Sequence, residues 1–236
     1  MDLEQLRDDV WDRVVPVSGL DAGWWALPAL ALALVAVVVP VIWLRARLAV
    51  TIVHELGHAV IGMLLGRRFT GFVVSADMSG HAVTVGPRRG FGRVASTWAG
   101  YPAPAVLGAL LVQLAFGGWA GAVLLAALVV LVLSVVFARS VHTVLTVLVT
   151  AALVAAVWWW GGPLGAACLL LGAGVLLLLG AWRHLGAVIA TGGRHDDPGQ
   201  LAELTGVPAW LWNGTFVLVI GACTFWGWTA LSPHLL

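Results

Sequence analysis

Apolar residues run in long blocks along this chain, and polar residues interrupt them in only a few places. Seven apolar stretches stand out, at about 24–44, 48–65, 94–116, 119–138, 141–159, 163–182 and 208–231. A helix needs ~20 residues to cross a bilayer, within a range of about 17–25. The second stretch is the short one. Ahead of them, Leu3, Leu6, Val10, Trp11, Val14 and Val15 recur at helical spacing with acidic residues between them. That spacing predicts a short amphipathic helix within residues 1–22. After the second stretch, Phe69–Ser75 and His81–Val85 are β-rich runs around a Ser-Gly turn, which predicts a hairpin over Phe69 to Val85. The expected fold is an all-α polytopic membrane protein of about six to seven transmembrane helices with this small hairpin. Residues 23–236 are expected to form a single membrane-embedded domain.

Composition agrees with that pattern and narrows it. The chain is 61% apolar and 10% charged, against roughly 45–50% and about 25% in soluble domains. Beyond residue 21 the carboxylates are Glu55, Asp77, Asp196, Asp197 and Glu203 alone. A carboxylate in hydrocarbon is costly and normally has a task. Every basic residue is arginine, and the net charge of +1 gives no reason to expect nucleic acid as a partner. Cys168 and Cys223 lie in apolar runs without metal-ligand spacing and read as free thiols. With seven spans, the positive-inside rule favours a cytoplasmic N-terminus, leaving only Arg45 and Arg47 in an outer loop. Trp158, Trp159 and Trp160 then form an outer aromatic belt.

One motif carries chemistry: His54-Glu55-Leu56-Gly57-His58, within the short apolar stretch. On a helix, positions i and i+4 share a face, so both imidazoles can bind one zinc ion, while Glu55 is placed as general base toward a water. Five-residue matches arise by chance, but three ionisable residues inside an apolar helix do not. Each charge there costs roughly 2.5–3.5 kcal/mol to insert.

A catalytic zinc site takes three protein ligands and keeps one position open. The third can come from Asp77, Asp196, Asp197, Glu203 or another histidine such as His195. Asp77 sits at the hairpin turn, where local backbone bonding is its ordinary role. Asp197, with Pro198 next and Gln200 beyond, suits a helix N-cap and capping box. His142, His184 and His234 fall near span ends, where snorkelling explains them. His81 reads as a solvent-facing hairpin residue. Tyr101, the only tyrosine, reads first as an interface anchor and second as a donor to an oxyanion.

The motif in an early span, with a distant Asp near the start of a later helix, resembles the site-2 protease superfamily of intramembrane zinc metalloproteases. Trp98-Ala-Gly-Tyr-Pro-Ala-Pro-Ala105 and Asp197-Pro-Gly-Gln-Leu-Ala-Glu-Leu-Thr-Gly-Val-Pro208 look like its compact actinobacterial-type members. The resemblance spans roughly Leu48 to Leu231. It implies Zn2+ held by His54, His58 and Asp197, Glu55 as catalytic base, and a membrane protein or peptide substrate in a bacterial plasma membrane. It also implies that a hairpin strand pairs with the extended substrate. Two departures stand out: the Asp lacks a Leu-Asp-Gly setting, which keeps Asp196 as an alternative, and Gly100-Tyr-Pro-Ala-Pro lacks the Asn seen in many relatives. The rival expectation is a catalytically inactive protease-like membrane protein that binds zinc or a partner helix. A lipid or prenyl hydrolase is disfavoured, since no second metal-binding helix is present. Oligomeric state is not legible.

Overall fold

The computed structural model describes residues 2–17, 24–74, 80–138, 140–192 and 196–235. Among these are ten α-helices and one two-stranded sheet. The helices are α1 (Leu3–Val14), α2 (Ala26–Val38), α3 (Pro40–Leu64), α4 (Phe91–Ala99), α5 (Pro102–Phe116), α6 (Ala120–Ser134), α7 (Val141–Trp160), α8 (Gly162–Thr191), α9 (Asp197–Thr205) and α10 (Ala209–Leu231). Strands β1 (Arg68–Val74) and β2 (Gly80–Val85) pair antiparallel directly after α3. The register slips between Phe69 and Gly71, and Gly71 takes a φ of 141° that suits only glycine. The hairpin's turn, and Asp77 in it, lie outside the described residues, as do Arg194 and His195.

Among the described residues, five helices are long and apolar enough to cross a membrane, or six if α4 and α5, bent by 56°, count as one broken span. The expected all-α polytopic architecture with a small hairpin is therefore present, but three boundaries differ. The first break falls at Pro40, not at Arg45 and Arg47, because the residue before a proline is pushed out of the helical region. Val39 accordingly has ψ 115°. Arg45 and Arg47 lie inside α3 and form no loop, so they supply no outer side for counting arginines. What remains of the first stretch is α2, 13 residues long, about 20 Å at 1.5 Å per residue and too short to span alone. At the other end, α8 runs on past Trp182 to Thr191. Arg183 does not end it, because its guanidinium donates to the Val37 carbonyl and lies 4.6 Å over the Trp43 ring. Gly192, at φ 77°, supplies the stop.

The core forms where α5 crosses α8. A Cβ added at Gly108 would stand 2.7 Å from the Gly174 carbonyl oxygen, and one at Gly174 would stand 2.8 Å from that of Gly108. Small residues let the two backbones approach, the usual route to tight packing where lipid offers no hydrophobic drive. Around this contact, Ala105, Ala109, Val112, Leu171, Phe216 and Ile220 are buried. The amphipathic α1 docks on α6: Val17 donates to the Gly118 carbonyl at 3.2 Å, and Arg13 sits 4.8 Å over the Trp159 ring. Trp158 is buried, with its indole donating to the Gly121 carbonyl at 2.9 Å, while Trp160 is exposed.

Candidate metal centre

Three chain segments meet at one cleft. The middle of α3 brings His54, Glu55 and His58; the α4–α5 bend brings Ser96, Thr97 and Tyr101; the start of α9 brings Asp196 and Asp197. Thr84 of β2, Arg93 and Gln200 complete the wall of a cavity of about 220 Å3. Glycines make the convergence feasible. A Cβ at Gly57, inside the motif itself, would meet the Ala103 Cβ at 2.5 Å and the Ala99 carbonyl at 2.7 Å, so α3 can lie on the bend only without one. A Cβ at Gly100 would stand 2.5 Å from His58 Nε2 and 2.8 Å from His54 Cε1. The backbone at the bend is thus the floor on which both imidazoles rest.

His54 Nε2 and His58 Nε2 are 3.1 Å apart, and Asp197 Oδ2 lies 3.2 Å from the first and 3.3 Å from the second. Bonds of about 2.0–2.1 Å in tetrahedral array put ligand atoms roughly 3.3 Å from one another, so the triangle has the size a zinc ion requires. Its electronic state fits as well. The His58 Nδ1–H donates to the Ser96 carbonyl at 2.7 Å, and in a neutral imidazole that leaves Nε2 as a lone pair facing the cluster. The Ser96 hydroxyl in turn donates to the His58 carbonyl at 2.8 Å. Asp197 Oδ2 is buried and, among the described residues, has no hydrogen-bond donor of suitable geometry, although two imidazoles flank it. A His58 lone pair and an orphaned carboxylate oxygen facing the same point are what a bound cation resolves.

Among the described residues, His54, His58 and Asp197 are the group able to hold a metal ion. The N-cap position expected of Asp197 falls to Asp196, while Asp197 lies at the imidazoles. Asp196 is the N-cap of α9, without a side-chain capping bond, and Asp197 is the first helical residue. No capping box forms, because the Asp197 carboxylate faces the imidazoles and the Gln200 side chain accepts from Arg93 at 3.1 Å. The place of Asp197 at a helix N-terminus favours the anionic form. Glu55 lines the same cavity one residue from His54.

Tyr101 departs from the interface-anchor expectation: it is 7% exposed, its ring stands edge-on to His54 at 4.8 Å, and it stacks on Phe216 at 5.1 Å. Glu203 lies outside this cavity and lines the neighbouring one. His184 packs edge-on to Trp43, and His234 stacks on Phe116. Ser96 and the Arg93–Gln200 bond were not singled out from the sequence, and Gly100 was noted only within the Gly100-Tyr-Pro-Ala-Pro element, with no contact to the histidines expected of it.

A family model described as Peptidase M50B-like matches residues 27–227, a stretch that contains every residue of the cleft. No curated protein and no solved structure shows a significant match to the chain.

Proposed function

This chain belongs to the Peptidase M50B-like family of site-2 proteases, and from that premise we propose that it is an intramembrane zinc metalloprotease cutting peptide bonds of membrane-associated substrates. The observation that carries the reading is the triangle of His54 Nε2, His58 Nε2 and Asp197 Oδ2, whose sides of 3.1, 3.2 and 3.3 Å suit zinc. A zinc ion held there would supply Lewis acidity and a water of lowered pKa, near 7 in known zinc enzymes. The chain's own groups do the rest. Glu55 takes the proton of the attacking water and delivers it to the leaving amine. His58 is fixed in ring orientation and tautomer by the Ser96 carbonyl. Tyr101, backed by the buried Phe216, gives the cleft an aromatic wall on one side.

The hairpin supports the choice of a peptide substrate. A transmembrane substrate must be drawn out of its helix before a peptide bond can be reached, and strand edges accept extended chains. β2 lies beside α3, and its Thr84 reaches the cavity wall. The test is removal of the metal. Cleavage of a membrane-protein substrate by the purified protein should stop on treatment with a zinc chelator and return on adding zinc back. Cleavage that persists in the metal-stripped protein would exclude the reading, and so would a zinc-loaded protein that cleaves nothing.

A further inference from the structure

A second depression adjoins the cleft and shares Arg93 and Gln200 with it; its remaining lining is Arg88, Arg89, Glu203 and Leu204. Three arginines therefore face a groove that contains one carboxylate. Arg93 spends its described hydrogen bond on the neutral Gln200 amide oxygen, at 3.1 Å. No carboxylate among the described residues forms an ion pair with any of the three. Arg88 and Arg89 are exposed and Arg93 half-buried, so the positive charge grades from solvent toward the metal cluster. Walls of one sign along a concave path concentrate oppositely charged ligands, and arginine forks match carboxylates in particular.

We propose that this groove is a specificity site that binds acidic side chains of the substrate on one side of the bond to be cut. The inference deepens the protease reading and rests on it for the identity of the occupant. Continuity favours a peptide over a lipid headgroup. An extended chain advances about 3.3 Å per residue, and Arg93 belongs to both cavities, so whatever fills the groove while the cleft is engaged is the flank of the same chain.

The experiment uses Glu55→Gln protein in neutral detergent and fluorescent synthetic peptides. The peptides share one apolar Leu/Ala segment and differ only in a flank of Asp, Asn or Lys. Binding is read by anisotropy, so the result does not depend on turnover. The Asp peptide should bind about fivefold to tenfold more tightly than the Asn peptide, from two or three partly exposed ion pairs, with the Lys peptide weakest. The preference should shrink as salt is raised and collapse in an Arg88→Gln/Arg89→Gln variant. Equal binding of the Asp and Asn peptides overturns the proposal, as does a preference that survives the double substitution. An arginine effect that appears only in vesicles containing anionic lipid, and equally for all peptides, makes the groove a headgroup site and overturns it too. Should the groove order the peptides by charge while the wild-type protein cleaves none of them, the groove stands and the protease reading falls.

Discussion

Replacing Gly100 with alanine adds one methyl group at the point where both histidines meet the backbone. The residue is helical, at φ −57° and ψ −57°, so alanine meets no backbone penalty there and the substitution probes space alone. The new Cβ would lie 2.5 Å from His58 Nε2 and 2.8 Å from His54 Cε1, against 3.4 Å or more for ordinary contact. With His58 Cε1 nearest, the rings, the backbone or both must therefore retreat by about 0.6–1.0 Å, and steep repulsion at these distances makes the retreat unavoidable. Zinc ligands tolerate errors of only about 0.2 Å. Disturbance of ligand support costs about 10–100-fold in metal affinity, or about 1.4–2.7 kcal/mol. The assay is competition for zinc against a chelating dye, with Gly186→Ala as control. Gly186 lies in α8 with nothing within 4 Å of its added Cβ, so that variant should bind zinc as the wild type does and gain up to about 1 kcal/mol in helix stability. A Gly100→Ala protein with wild-type zinc affinity would refute the placement of the imidazoles.

Two further predictions follow from the same geometry. Asp197→Ala should weaken zinc binding by more than about 100-fold, beyond the usual loss from a supporting group, while Asp196→Ala should leave most of it; metal content after dialysis separates them, and the reverse order would move the ligand by one residue. Arg13→Ala should remove the contact with the Trp159 ring, worth about 1–2 kcal/mol where partly desolvated; hydrogen exchange should then rise in residues 2–17 and stay unchanged in α5 and α8, and unchanged exchange in α1 would show that Arg13 does not hold it.

The sequence was most informative where a single chemical constraint acts on consecutive residues. Apolar length predicted the long helices, and the i, i+4 spacing predicted that His54 and His58 share a face, because both follow from the helix repeat. The β-branched and aromatic residues of 69–85 likewise marked the hairpin. Legibility failed where structure depends on partners distant in sequence. Arg183 resembles a span terminus until Trp43 and the Val37 carbonyl are seen to receive it. Tyr101 resembles an anchor until the α4–α5 bend turns it onto His54. Asp197 matched a capping pattern, yet bond formation at an N-cap competes with whatever else its carboxylate can reach, and two imidazoles lie within 3.3 Å. Pro40 was passed over within the first stretch, yet it outweighs Arg45 and Arg47 as the break, because charge does not end a helix and a proline's restriction on its predecessor does.

The central claim is that His54, His58 and Asp197 hold a catalytic zinc on which Glu55 acts as base. Its most direct test is zinc content and substrate cleavage measured on the same preparation of the Glu55→Gln protein. The account predicts wild-type zinc content with cleavage abolished, since the metal ligands are intact and only the proton acceptor is gone. Cleavage at the wild-type rate by that zinc-loaded variant would contradict it.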